Sequence, residues 1–203
     1  MGSNEELVDA LERRGVITHS STREAFLAVD RALFVPEDLQ ADAYANTPLP
    51  IGAGQTISQP LTVAIMLEEL VVGKGMRVLD VGCGSGYSTA LLSYLVGEEG
   101  CVVGVERLSR LVVFAKQNLL RAGVDARVLQ AGKELGIPGK VFDRILVSAE
   151  ASRVPQALIE QLVEGGLLVL PVGDSLVTAR RVGDSYEVVR RLRGFRFVPL
   201  IEE

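Results

Sequence analysis

The chain holds one histidine, two cysteines, four lysines and no tryptophan in 203 residues. Each scarcity removes a class of chemistry. His19 lies in a polar stretch with no Cys, Asp or His partner nearby, so Ser-His-Asp hydrolysis and a histidine metal site lack their parts, and no metal is expected. Cys83 and Cys101 are too few for a disulfide framework or a metal cluster and read as small apolar filler. No apolar run approaches the roughly 18 residues of a membrane span, and residues 1–6 lack the basic and apolar regions of a signal peptide. A cytoplasmic protein with no membrane partner is therefore expected. Positive charge is short as well: the formal net charge is −5, whereas nucleic-acid binders carry a basic face. No nucleic-acid partner is expected, and Arg180-Arg181 and Arg190-Arg191 read as solvated strand faces.

Apolar residues, by contrast, make up 48% of the chain against 23% charged, the globular mix, and the length suits one core. We read residues 1–203 as a single domain in three parts. Residues 1–60 give helices over 5–14 and 23–32, then an irregular covering loop over 39–54, too apolar with Tyr44, Leu49 and Ile51 to be a tether. Residues 61–173 alternate strand and helix in a parallel α/β rhythm, with strands at 77–81, 102–106, 127–130, 143–148 and 166–171, and helices at 61–70, 88–96, 109–122 and 155–162. Residues 174–203 give a hairpin that turns at Gly183-Asp184, then a final strand.

The chain is organised around Val78-Leu79-Asp80-Val81-Gly82-Cys83-Gly84-Ser85-Gly86-Tyr87, a buried strand, a tight glycine turn and a helix start. Glycines reach positive φ and let a ligand approach the main chain, where a helix N-terminus offers free N–H groups. Past Gly86, the apolar run from Cys101 to Val105 ends in Glu106, placed to accept hydrogen bonds from ribose hydroxyls. The turn and the acid together read as a nucleoside clamp.

Tyr87 stands where a nicotinamide fingerprint wants its last glycine. Alternating glycines behind Asp80 resemble S-adenosylmethionine-dependent methyltransferases instead. Gln55-Thr56-Ile57-Ser58-Gln59-Pro60, Phe34-Val35-Pro36, Pro48-Leu49-Pro50-Ile51-Gly52, Pro171-Val172-Gly173 and Val198-Pro199-Leu200 together resemble the protein-L-isoaspartate (D-aspartate) O-methyltransferase family. The resemblance implies an α/β Rossmann-like fold with a mostly parallel seven-stranded sheet, a C-terminal antiparallel hairpin and an N-terminal helical extension. It implies S-adenosyl-L-methionine on Asp80, Gly82, Gly84, Ser85, Gly86 and Glu106, bordered by Gln55, Thr56 and Ile57 and by Gly132 and Lys133. It also implies Ser58 as the active-site serine, and Ser58, Gln59, Pro60, Val198, Pro199 and Leu200 around a damaged isoaspartyl protein or peptide. An isoaspartyl carboxylate, with an ordinary pKa of about 4, is ionised at neutral pH and needs no general base. The scarcity of histidine is consistent with that reaction.

Ser58 has a plainer reading as the N-cap of the next helix, worth about 1 kcal/mol, and one hydroxyl can serve both ends. Two departures stand out. Ala131-Gly132-Lys133 replaces the usual Gly-Asp-Gly, and a lysine accepts no hydrogen bond from adenine. Ser148-Ala149-Glu150-Ala151 sets an extra carboxylate near the site, with Arg153 as a possible offset. Three other readings remain: methylation of tRNA or a small metabolite on the same fold, a cofactor-binding protein without repair activity, and a nicotinamide oxidoreductase.

Overall fold

The computed structural model describes residues 2–201; Met1, Glu202 and Glu203, the ends of the expected domain, lie outside the described residues. Helix α1 (Asn4–Arg13) begins where the Ser3 side chain accepts from the Glu6 N–H at 3.2 Å, with Glu5 and Glu6 in the first turn and Arg13 in the last. Both charge placements favour the helix dipole. Leu7, Val8 and Leu11 form its buried stripe. Helix α2 (Ser20–Ala28) stops four residues short of the expected end, at Val29, which is extended. Asp30 then starts a separate 3-10 turn, Arg31–Phe34, by accepting from the Ala32 N–H at 2.9 Å.

The expected covering loop is more ordered than its proline and glycine content suggests. It contains a 3-10 turn, Glu37–Asp42, and strand β1 (Leu49–Gly52), which pairs antiparallel with β2 (Gln55–Ile57). The hairpin turns through Gly52, Ala53 and Gly54, all at positive φ. Pro50 weakens the strand signal in the sequence but faces out of the short ribbon.

Helix α3 (Pro60–Leu70) leads into the main sheet, β3 (Arg77–Val81), β4 (Cys101–Glu106), β5 (Arg127–Gln130), β6 (Phe142–Val147), β7 (Leu162–Val172), β8 (Ser175–Val182) and β9 (Ser185–Arg193). The order is β5-β4-β3-β6-β7-β8-β9, parallel from β5 to β7 and antiparallel between β7, β8 and β9. Successive residues alternate between the two faces. Val78, Leu146 and Val169 join the cluster under α1–α3, α4 (Tyr87–Val96) and α5 (Ser109–Arg121). Leu79, Val81, Ile145, Val147, Leu168 and Leu170 pack on the other side with α6 (Gln156–Ile159). Helix α6 is shorter than the eight-residue helix expected because Leu162 already begins β7.

The expected final strand does not form. Past β9 the chain makes one isolated bridge, Glu150 to Pro199, since proline has no N–H with which to extend a ladder. In the main sheet β4 lies on one side of β3 and β6 on the other, so chain connections diverge where β3 meets β6. A crevice opens at the carboxyl ends of strands at such a point.

Candidate active site

A cavity of about 1330 Å³ occupies that crevice. Its floor is the turn after β3. Gly82, Gly84 and Gly86 have φ of +75°, +54° and +87°, values that L side chains rarely adopt. Space adds a second reason at two of them. A Cβ on Gly84 would lie 3.2 Å from Ile51 Cδ1, and one on Gly86 would lie 3.3 Å from Ala115 Cβ. The Gly82 and Cys83 amides donate to the Val105 carbonyl at 2.8 and 3.2 Å, and Asn118 Nδ2 donates to the Ser85 carbonyl at 2.9 Å.

Glu106, at the end of β4, lines the cavity while staying largely buried. Its Oε2 accepts from the Gly84 N–H at 3.1 Å and its Oε1 from the Leu108 N–H at 2.8 Å. A carboxylate offers about four lone-pair directions, so each oxygen retains accepting capacity towards the cavity. Gly132 and Lys133 lie on the wall, and nothing comes within 4 Å of a Cβ built on Gly132. Main chain is therefore open to a ligand there. An acceptor-rich end beside bare glycine backbone fits an adenosine such as that of S-adenosyl-L-methionine.

Asp80 stands behind this wall. It is wholly buried, and its Oδ2 accepts from Ser88 Oγ and Thr89 Oγ1, each at 2.7 Å, while Oδ1 has no partner. Burial raises its pKa to about 6 against those two bonds, and the Glu106 charge adds to the rise. Burial, Asp80 and Glu106 likewise push the Cys83 thiol well above its usual range. That thiol is an inert wall element. Gly86 is also off the cavity surface, packed between α4 and α5.

The opposite wall comes from segments far apart in sequence. Gln55, Thr56, Ile57 and Ser58 line it from the β1–β2 hairpin, and Val198, Pro199 and Leu200 from the chain end. The Glu150 N–H donates to the Val198 carbonyl at 2.8 Å and the Leu200 N–H to the Glu150 carbonyl at 2.7 Å, which hangs the terminal segment over the cavity. Glu150 thus works through its main chain; its side chain is not on the wall, whereas Arg153 is. Gln59 and Pro60, expected at the substrate, are also absent from the wall: Pro60 is buried at the start of α3 and Gln59 holds the cap position. The plain capping role for Ser58 therefore fails, because Ser58 precedes the cap by one residue and the capping service passes to Asn46 Oδ1, which accepts from the Leu61 N–H at 2.9 Å. Leu108, Leu135 and Gly136 are among the further lining residues that the sequence does not announce, since apolar loop residues carry no chemical pattern of their own.

Among the described residues no group of His, Cys, Asp and Glu is placed to hold a metal ion, and no helix is long and apolar enough to cross a membrane.

Comparison with known proteins accords with this geometry. A protein-L-isoaspartate O-methyltransferase of Methanopyrus kandleri is 46% identical over 208 residues, covering 99% of this chain and 92% of its own. The corresponding protein of Pyrococcus abyssi is 44% identical over 203 residues, covering 97% and 93%. A crystal structure assigned to the same enzyme in Plasmodium falciparum, in complex with S-adenosyl-L-homocysteine, superposes with a TM-score of 0.88 at 28% identity, covering 100% of both chains. The profile of one family matches residues 2–203, and with the glycine turn, the β4 acid and the serine hairpin around a single crevice, the chain belongs to the protein-L-isoaspartate (D-aspartate) O-methyltransferase family.

Proposed function

We propose that this chain is a protein repair enzyme that methylates the free carboxylate of L-isoaspartyl residues in damaged proteins, with S-adenosyl-L-methionine as donor. One observation carries the reading. A single cavity runs from Gly82, Gly84 and Glu106 to Ser58 and the Val198–Leu200 segment, so a nucleoside end and a peptide-sized mouth share one space.

When bound, the donor supplies an electrophilic methyl group on a sulfonium. Glu106 holds the ribose hydroxyls, the turn at Gly82, Gly84 and Ser85 cradles the remainder, and main chain at Gly132 and Lys133 faces the base. Gln55, Thr56 and Ile57, which line the cavity, would border the donor and exclude water from it. Asp80 and Gly86 act from behind by holding the turn in shape. Ser58 positions the acceptor carboxylate, and Val198, Pro199 and Leu200 hold the peptide main chain. The acceptor is already anionic, so placement rather than proton removal is the task. Residues 1–203 work as one unit in this scheme, in the cytoplasm, without a nucleic-acid or membrane partner.

Purified protein with radiolabelled donor and paired peptides, one isoaspartyl and one aspartyl, tests the reading. Base-labile label on the isoaspartyl peptide alone supports it. Equal labelling of both peptides, or labelling of RNA alone, overturns it.

A further inference from the structure

Arg31 is the largest fully buried side chain among the described residues, with none of its surface exposed, and no carboxylate among them pairs with it. Its guanidinium is instead spent on main-chain carbonyls. Nη1 donates to Ala43, and Nη2 donates to Thr47 at 3.2 Å and to Ser58 at 3.1 Å. Thr47 lies two residues before β1, and Ser58 follows β2 directly. One nitrogen therefore ties together the two feet of the hairpin that roofs the cavity.

The neighbouring residues extend the same arrangement. Asp30 Oδ1 accepts from the Tyr44 hydroxyl at 2.9 Å, and Asn46 Oδ1 pins the same segment to the start of α3. Arg31 Nε and the Tyr87 hydroxyl are both buried without partners, and Tyr87 opens helix α4 directly after the glycine turn. Burying a cation without a counter-charge is costly, and burial does lower this arginine's pKa to about 10, leaving it charged at neutral pH. A core apolar residue would fill the space at less cost, yet would leave three carbonyls unpaired.

We propose that Arg31 is a positioning residue for methyl transfer: its fork fixes the spacing between Thr47 and Ser58, and so sets the hairpin and the Ser58 side chain against the acceptor subsite. The inference rests on the methyl-transfer reading above. Lysine keeps the charge but lacks the planar fork, so it does not span the same carbonyls.

The test compares wild type with Arg31→Lys and Arg31→Met on an isoaspartyl peptide, with S-adenosyl-L-homocysteine affinity measured by calorimetry. In Arg31→Lys, kcat should fall by about 10- to 100-fold through acceptor misplacement. Affinity for the nucleoside should fall by clearly less than kcat, because the turn at Gly82, Gly84 and Ser85 and the Glu106 carboxylate lie on the cavity independently of the hairpin. Unchanged kcat in a folded Arg31→Lys protein, or loss of nucleoside affinity in step with kcat, overturns the proposal. A wild type silent on the isoaspartyl peptide overturns instead the reading beneath it. Hydrogen exchange on the wild type needs no variant to fold: amides of residues 47–58 should open together with residues 43–45, and exchange of the hairpin as an independent loop overturns the clamp.

Discussion

The amide of Gly84 donates to the carboxylate of Glu106 at 3.1 Å, joining the ends of two adjacent parallel strands into one ligand-facing edge. The turn and the acid are 22 residues apart in sequence, and β3 and β4 pair in register from Arg77 with Cys101 to Val81 with Val105. Strand register thus sets the distance between them, and a rigid β scaffold holds both parts of a nucleoside site ahead of ligand binding.

Replacing Glu106 by Gln keeps the shape and removes the charge. Hydrogen bonds to a charged acceptor are worth about 1.5–3 kcal/mol, so affinity for S-adenosyl-L-homocysteine should drop by about 10- to 100-fold. Calorimetry on the folded variant reads this directly, and unchanged affinity would remove Glu106 from the site.

Gly104 lies on β4 behind the turn, where a Cβ would meet Thr89 Oγ1 at 3.0 Å and Cys83 Sγ at 3.1 Å. Gly104→Ala should cost about 1–3 kcal/mol of stability by overpacking and weaken nucleoside binding by displacing Cys83. Urea unfolding and calorimetry on the same preparation check both effects.

Ser58→Ala should lower kcat on the isoaspartyl peptide by about tenfold or more while changing nucleoside affinity little, if Ser58, which lines the cavity, has the proposed role of placing the acceptor. A variant that loses nucleoside affinity but keeps kcat would place Ser58 on the donor side instead.

Asp80 makes stability depend on pH in an unusual direction. Its pKa rises from the ordinary 3.8 to about 6 in the fold, through burial above all. The native state therefore binds more protons than the unfolded chain between about pH 4 and 6, and stability falls as pH rises through that window. The change is on the order of 3 kcal/mol. Asp80→Asn should remove this component of the ligand-free protein's pH profile, as read by urea unfolding at pH 4.5, 5.5 and 7. A variant whose profile parallels the wild type would refute the shift.

Glu68 works in the opposite sense. Burial raises its pKa, but hydrogen bonds from Thr18, Thr22 and His19 outweigh that and leave it below the ordinary 4.5. Its stabilisation is present above that value and is lost as pH falls through the lower folded value. Glu68→Gln should cost about 1 kcal/mol at pH 7, with the difference closing as pH falls below the ordinary 4.5.

The alternating glycines and the apolar strands make a parallel α/β fold and a nucleoside ligand legible in the bare chain, because glycine φ, strand periodicity and a strand-end acid are local properties of consecutive residues; the seven-stranded sheet and the methyl donor are expected only through the family resemblance. Asp30-Arg31 is not legible in the same way. In sequence Arg31 is one more residue on a helical face, and only the folding of residues 43–58 back onto the 3-10 turn that carries it brings three carbonyls to its guanidinium. The β1–β2 hairpin is hidden by Pro50 and three turn residues, whereas Ser58 stands out in the Gln55–Pro60 run and the structure removes only its capping reading. Sequence alone determined the strand–helix alternation of the core and the nucleoside turn within it, since those depend on short-range sterics and period. Tertiary structure decided that the chain end hangs from Glu150, that Asp80 stands behind the wall, and that one buried cation holds the roof, since each depends on contacts between residues distant along the chain, whose pairing no local pattern encodes.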